Sequence, residues 1–264
     1  MANALKQQSP PMQRPALHQL LHGYAEGHRL LEGSFTLQDD LTRLMLRMSD
    51  LSGSNMVAGF EDYITGYPLA STNAYALAKT WYAPEMPRPG CVWTHTLVIP
   101  SEVLTQILSL RVLMALFKRP TEGAFRGQYS KDLELDTVLS QGMPAPASPF
   151  DETGREFPPL LWAYYGMGDR PVILAAKSSR EFESLIFALW SQQWPSLRLA
   201  FTFCTGSLAT RTLAGRPFDL QCAPTVMARE VLLEASKGSS AEALLIPPFQ
   251  RLIRNGFPRL SATP

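Results

Sequence analysis

Residues 73–100, NAYALAKTWYAPEMPRPGCVWTHTLVIP, decide the fold of this chain. The first ten residues alternate bulky and small side chains, which is typical of a strand packed against a neighbouring layer. Three prolines and a glycine within residues 84–90 then predict a short, rigid turn. Cys91–Ile99 is rich in β-branched and aromatic residues and predicts a second strand. The stretch therefore predicts a β-hairpin with a stiff, protruding tip.

Working outward toward the N-terminus, we expect residues 1–15 to be a disordered arm. Glycines punctuate the next segment and predict two short strands around a turn at Ala25–Gly27. Apolar residues at helical spacing predict a helix over Gln38–Ser49. Ala58–Leu69 fits either a strand or a broken helix. On the other side of the hairpin, Pro100–Phe117 predicts one helix that is apolar nearly all round and buried between layers.

The second half of the chain begins after a Pro-rich stretch, residues 141–159, which predicts a linker or long surface loop. A strand, a helix that opens with a capping box at Ser178 and Glu181, and a second strand at Leu199–Cys204 then predict a βαβ unit with parallel strands. The other elements expected in this half are a short helix at Leu160–Tyr165, strands at Pro171–Ala175 and Phe218–Cys222, and helices at Met227–Ala235 and Ala241–Asn255.

These elements predict an α+β (mixed α/β) fold, with the hairpin in the N-terminal half, the βαβ unit in the C-terminal half and helices packed on the sheet. We expect residues 16–140 and 160–256 to form one continuous domain. The chain has 264 residues, enough to bury a substantial core.

Composition excludes several classes of function. The net charge is +1, so no global field attracts nucleic acid or an anionic membrane. Three widely spaced cysteines suggest neither a disulfide framework nor a cysteine-rich zinc site. The longest apolar runs are too short for a membrane span, and the polar N-terminus lacks an apolar signal core. We expect a cytoplasmic protein without cofactors.

A possible polar cluster is formed by three histidines with neighbouring polar groups: His22, Tyr24, Glu26, His28 and His95. The spacing does not match HExxH or any other metallohydrolase signature. One interpretation is that these groups pin a Gly-rich turn. The alternative is a histidine-dependent hydrolase, perhaps assisted by a metal.

Other catalytic signatures are weak. The chain has no P-loop, no dinucleotide-binding glycine motif after a strand and no nucleophile elbow. Thr96 follows His95 directly, so the His-x-Thr motif of two-histidine phosphoesterases is not formed. Cys204 ends a predicted strand without a histidine nearby in sequence, and a thiol facing the core is the simpler interpretation.

Binding is better supported than catalysis. Trp81, Glu85 and Arg88 surround the rigid turn, and packing explains them least. A rigid loop that presents Arg and Trp is a common binding anchor, although Glu85 and Arg88 could equally pair with each other. A second group, Arg198, Arg211 and Arg216, could bind an anion or could equally lie in solvated surface.

Four segments resemble the bacterial GTPase-associated protein one family, in its N-terminal domain type one. They are LHGYAEGHRLLEGS (21–34), SDLSG (49–53), the stretch from Tyr67 to Pro100, and ALWSQQWPSLRLAFTFCTGSLATR (188–211). The resemblance implies a component of a multi-gene bacterial conflict, or antiphage, system encoded beside a GTPase. Members often carry further domains, so this chain is either a piece of a longer protein or a short member.

The resemblance implies a non-catalytic adaptor or regulatory module that contacts the GTPase or another subunit. The composition separately predicts that neither nucleic acid nor a membrane is a partner. Two alternatives stay open. One is the histidine-dependent hydrolase, and the other is a sensor that binds a nucleotide or phage-derived ligand between the two halves.

Overall fold

We describe the protein from a computed structural model. The structure describes residues 16–53, 55–121, 125–134, 156–166 and 170–237, and the backbone of 244–246. The expected N-terminal arm and most of the expected Pro-rich linker lie outside these ranges. Of the expected helix at Ala241–Asn255, only residues 244–246 are described.

The strands are β1 (Ala16–Tyr24), β2 (His28–Gly33), β3 (Asp62–Leu69), β4 (Ala74–Tyr82), β5 (Val92–Pro100), β6 (Leu133–Glu134), β7 (Val172–Ala176), β8 (Phe203–Cys204), β9 (Thr212–Leu213), β10 (Arg216–Pro217), β11 (Leu220–Pro224) and β12 (Leu244–Ile246). The α-helices are α1 (Asp39–Ser49), α2 (Ser101–Leu104), α3 (Arg111–Met114), α4 (Phe157–Gly166), α5 (Glu183–Gln192), α6 (Pro195–Ala200) and α7 (Ala228–Lys237), and Ala70–Thr72 is one 3₁₀ turn. The predicted α+β class is confirmed.

One ten-stranded mixed sheet runs through both halves of the chain. Its order is β12-β7-β11-β8-β3-β4-β5-β1-β2, and β6 pairs separately with β1. Strands β1 to β5 pair antiparallel, whereas β11 is parallel to both β7 and β8. The antiparallel pairing of β8 with β3 joins the antiparallel part of the sheet to the parallel part.

The hairpin predicted from residues 73–100 is present. Strands β4 and β5 pair over their full length, from Tyr82 opposite Val92 to Ala74 opposite Pro100. The bulky and small residues of β4 point to opposite faces, because side chains alternate across a strand. The segment that was ambiguous, Ala58–Leu69, supplies β3, which pairs with the other side of β4.

Alternation along β5 separates the N-terminal half of the sheet into two faces. Trp93, His95 and Leu97 point to what we call the main-core face, where Leu97 joins the largest hydrophobic cluster. Thr94 and Thr96 point to the α1 face, which α1 covers with Leu41, Met45 and Met48.

The prediction of one continuous helix over Pro100–Phe117 is wrong. Only α2 and α3 are helical, and turns connect them. The Arg198 guanidinium donates a hydrogen bond to the carbonyl of Ile107, at 3.0 Å, and the Arg111 amide bonds instead to Ser109 Oγ. Because Ile107 O is the acceptor that the Arg111 amide would use in a continuous helix, this contact replaces a helical hydrogen bond. Leu108 is left 68% exposed.

The predicted βαβ unit is correct in its parallel direction but differs in detail. Strands β7 and β8 are not neighbours, because β11 lies between them. The strand expected at Leu199–Cys204 is wrong over its first half, since Pro195 opens α6, which runs to Ala200, and the paired strand is limited to Phe203–Cys204. Proline suits the first turn of a helix, because a backbone N–H at that position would have no acceptor within the helix.

Smaller corrections concern helix boundaries. The expected capping box at Ser178 does not form, because α5 begins five residues later, after Phe182. Helix α4 begins at Phe157, so the last residues of the expected linker at 141–159 are helical. The three described residues of the helix expected at Ala241–Asn255 form β12 instead. Of the helices that the structure describes, none has the length and apolar character needed to cross a membrane.

Candidate functional site

A cleft of about 240 Å³ lies where three of the family-like segments meet. We call it the tip cleft. Its walls come from the β1–β2 turn, from the residue after α1 and from the tip of the β4–β5 hairpin. The lining residues are Tyr24, His28, Asp50, Arg88, Pro89, Gly90 and Cys91.

The hairpin tip stands on a fixed base. The Trp93 indole donates a hydrogen bond to Glu85 Oε1 at 2.9 Å, and Arg119 Nη2 lies 2.7 and 2.9 Å from the two Glu85 oxygens. Burial acts to raise the pKa of Glu85, but hydrogen bonds from its own backbone, Trp93 and Arg119 outweigh it and lower the pKa. Glu85 therefore pairs with Arg119. The pairing of Glu85 with Arg88 that the sequence allowed is not formed.

Arg88 is exposed at the end of this tip. Pro87 and Pro89 flank it and fix the backbone torsion on both sides. Within the described part of the chain, its guanidinium forms no ion pair and no hydrogen bond. A stiff backbone presents this cation at low entropic cost. Trp81, the other predicted anchor, is half-buried, with Lys79 Nζ 5.6 Å from its ring centroid.

The second wall is the C-terminal end of α1, where several backbone carbonyls accept hydrogen bonds from side chains. Arg211 donates to the carbonyls of Arg47 and Asp50 at 3.0 and 2.6 Å. The Thr94 hydroxyl donates to the Ser49 carbonyl. Since a helix end left without partners would fray, these contacts hold Asp50 in place at the cleft.

The third wall carries His28, whose tautomer follows from its partner. The Ser49 hydroxyl donates to the Leu46 carbonyl at 3.0 Å. It must therefore accept at 2.9 Å from Nε2–H of His28, and the neutral ring keeps its Nδ1 lone pair. Burial lowers the pKa of His28, the Asp50 charge raises it and the Arg211 charge lowers it, with a lowered pKa as the result.

His22 lies behind His28, and their stacked rings have centroids 6.1 Å apart. Burial, and after it the neighbouring His28, lowers the pKa of His22 to about 3. Its Nδ1 is buried and has no hydrogen-bond partner among the described residues. A neutral imidazole fits this environment, because an imidazolium there would be an unpaired buried charge.

The third histidine lies on the opposite face of the sheet. His95 Nδ1 accepts from the Lys118 amide at 3.2 Å, so Nε2–H donates to Gln19 Oε1 at 3.0 Å. Burial, followed by the Lys118 charge, lowers the pKa of His95 to about 3. The sheet thus separates His95 from His22 and His28. Within the described ranges, no three His, Cys, Asp or Glu side chains are placed to hold a metal ion.

The remaining predicted residues divide between the turn and the interior. Tyr24 lines the tip cleft, whereas Glu26 is exposed in the β1–β2 turn with φ of 58°. Arg198 donates to the carbonyls of Trp190, Ile107 and Ser191, and its guanidinium lies 4.6 Å from the Trp190 ring centroid. Both Arg198 and Arg211 are less than 10% exposed, so their charges are used within the fold.

Sequence reasoning missed Asp50, Cys91 and Arg119. Asp50 lies in the SDLSG segment that resembles the family, and that segment was the available signal. The partner of Glu85 had no local signal, because Arg119 is 34 residues away along the chain.

No curated protein matches this chain. A family model matches residues 16–117, a segment that includes every residue of the tip cleft but not the family-like segment at 188–211. The family recognised from the sequence is thereby confirmed for residues 16–117, which match GTPase-associated protein 1, N-terminal domain type 1.

Proposed function

We propose that this chain is a non-catalytic adaptor or regulatory module that acts with a GTPase in a bacterial conflict, or antiphage, system in the cytoplasm. In this proposal the contact surface is the hairpin tip, with Arg88 at its centre. The observation that carries the proposal is the contrast between this exposed cation and its rigid base. Glu85, Trp93 and Arg119 are engaged with one another, and Arg88 alone projects from them.

The family match supports association with a GTPase, because the family is described as GTPase-associated. The tip also has the properties of a binding anchor. Two prolines hold Arg88 in place before any partner arrives, and arginine is enriched among residues that dominate binding energy.

A non-catalytic role is favoured by how the reactive groups are used. Both ring nitrogens of His95 are engaged by Gln19 and by the Lys118 amide. Cys204 is fully buried, and Arg198 and Arg211 bond to backbone carbonyls. The hydrolase alternative needs His22, His28 and His95 to act together, whereas the sheet lies between them. The tip cleft also lies within the N-terminal half, not between the halves as the sensor alternative expected.

The experiment is a pull-down of the GTPase encoded beside this chain, repeated with GDP and with a non-hydrolysable GTP analogue. We expect capture by the unaltered protein and loss of capture with Arg88→Glu. Arg229→Glu is the matched control, because Arg229 is equally an exposed arginine but lies on α7, which packs against β7, β11 and β12 at the far end of the sheet. If the unaltered protein neither captures the GTPase nor changes its nucleotide turnover, the proposed function is wrong.

A further inference from the structure

The tip cleft carries two opposite charges that do not satisfy each other. Arg88 and Asp50 both line it, yet they form no ion pair within the described chain. The Asp50 carboxylate accepts from the Leu51 amide next to it, at 2.7 Å. The Arg88 guanidinium, with five donors in a planar fork, has no such partner there. Among the described residues, the Arg88 guanidinium thus has no hydrogen-bond partner, whereas the Asp50 carboxylate has one.

A second group in the same cleft is open to a ligand. Nε2–H of His28 is used by Ser49, and Nδ1 has no hydrogen-bond partner among the residues described. Nδ1 can therefore accept a proton without breaking the bond that fixes the ring. His28 is half-buried, so this nitrogen belongs to a partly desolvated wall.

We propose that the tip cleft binds the carboxylate of an acidic side chain from a partner protein, with Arg88 as its ion-pair partner and His28 taking up a proton on binding. This rests on the interaction role proposed above and specifies the chemistry of its contact.

The proximity of a second carboxylate is the reason for the proton. Without a partner, Asp50 is the only carboxylate among the described residues that favours the imidazolium of His28, and the buried Arg211 acts against it. A carboxylate bound beside the ring adds a second negative charge, which lowers the free energy of the imidazolium and so promotes proton uptake.

Several groups face His28 and set how readily it takes that proton. The Asp50 carboxylate and the C-terminal end of α1 favour the imidazolium. Burial and the buried Arg211 oppose it. Arg88 is a second cation in the cleft, His22 is neutral and Tyr24 lies in the wall. A carboxylate bound between Arg88 and His28 adds a further negative charge and therefore favours the protonated His28 ring.

The size of the cleft selects the kind of ligand. Small-molecule and cofactor sites have volumes of roughly 300–1,000 Å³. At about 240 Å³ the tip cleft is below that range, and it suits one side-chain carboxylate better than a nucleotide. An Asp or Glu on a protein surface provides such a group on a scaffold that also contacts the surrounding tip.

The probe that tests this is N-acetyl-glutamate N-methylamide, a blocked glutamate, titrated into the full chain. Two signals are followed by NMR: the Arg88 Nε–Hε resonance and the pH titration of the His28 ring. We expect the blocked glutamate to shift the Arg88 signal and to raise the pKa of His28 by about one unit. Linkage then requires binding to tighten as the pH falls through the free and bound pKa values of His28, by about tenfold in total.

Three variants separate the roles. Arg88→Gln removes the cation, and we expect the blocked glutamate no longer to change the pH titration of His28. His28→Gln keeps a nitrogen that can donate to Ser49 but cannot titrate, so binding should persist and lose its pH dependence. Arg229→Gln leaves the tip intact and should bind as the unaltered protein does. Normal melting temperatures for the variants would show that they are folded.

The proposal is overturned if the blocked glutamate leaves the Arg88 and His28 signals unmoved, or if Arg88→Gln binds it as well as the unaltered chain. It is also overturned if inorganic phosphate shifts both signals at concentrations where the blocked glutamate does not. These outcomes are independent of the GTPase pull-down. Blocked glutamate binding with a failed pull-down retains the cleft and rejects the GTPase as partner, and the reverse pair of results rejects the carboxylate site alone.

Discussion

The indole of Trp93 lies so close to the backbone of Gly23 that a Cβ on this glycine would stand 2.6 Å from two of the ring carbons. Leu31 Cδ1 would be 2.9 Å from the same Cβ. Distances this short cannot be accommodated without movement of the indole. Because the indole also donates to Glu85, the position of Gly23 fixes the base of the hairpin tip.

Gly23→Ala therefore tests this contact. We expect it to lower the free energy of unfolding by about 1–3 kcal/mol, the usual cost of overpacking a core. Urea denaturation followed by Trp fluorescence measures this. Trp93→Phe in the same chain provides the control, because a smaller ring leaves room for the methyl group. The two substitutions should be non-additive, and strictly additive losses would contradict the assigned contact.

Arg211 gives a second prediction, about the end of α1. Arg211→Met removes the guanidinium that donates to the partly buried carbonyls of Arg47 and Asp50. Of the described donors, the Asp50 carbonyl then keeps only the Tyr63 hydroxyl, so we expect a loss of about 1–3 kcal/mol in unfolding free energy. Arg216→Met is the matched control, since Arg216 is exposed on β10. Equal losses in the two variants would show that the Arg211 contacts contribute little.

The two most buried histidines predict acid sensitivity. His22 and His95 have folded-state pKa values of about 3, below the value of 6.5 expected in the unfolded chain. The unfolded chain therefore binds more protons below pH 6.5, and stability falls as the pH drops from about 6.5 toward 3. Each histidine contributes a slope of at most about 1.4 kcal/mol per pH unit.

The measurement is the urea midpoint as a function of pH for the unaltered chain and for His95→Gln. The variant removes one titrating group, so its stability should depend less steeply on pH between about 6.5 and 4. His18→Gln serves as the comparison, because His18 is only partly buried and bonds to Asp132. A variant curve that parallels the unaltered one would show that His95 is not neutral in the folded protein.

Glu85 provides a prediction that separates stability from binding. Glu85→Gln weakens the bond to Arg119, a partly exposed ion pair, so we expect a stability loss below about 1 kcal/mol. Its effect on the tip should be larger, since the carboxylate holds Trp93 and Arg119 together. Pull-down of the GTPase should weaken while the melting temperature hardly changes. Unchanged capture would mean that the base of the tip does not position Arg88.

The sequence by itself determined the elements whose signals are local. Alternation in residues 73–100 predicted the hairpin, and helical spacing predicted α1 to within one residue. The two prolines around Arg88 predicted its stiff presentation, and long idiosyncratic segments predicted the family that residues 16–117 match.

Only the tertiary structure decided which groups are engaged. Arg198 is distant in sequence from Ile107, yet its bond to that carbonyl accompanies the break between α2 and α3. The partners of Glu85 and Arg211 are also non-local. Alternation along β5 relative to β1 placed His95 and His22 on opposite faces, and this depended on the pairing register of the two strands. Periodicity specifies an element, whereas long-range pairing decides whether its polar groups are free to bind.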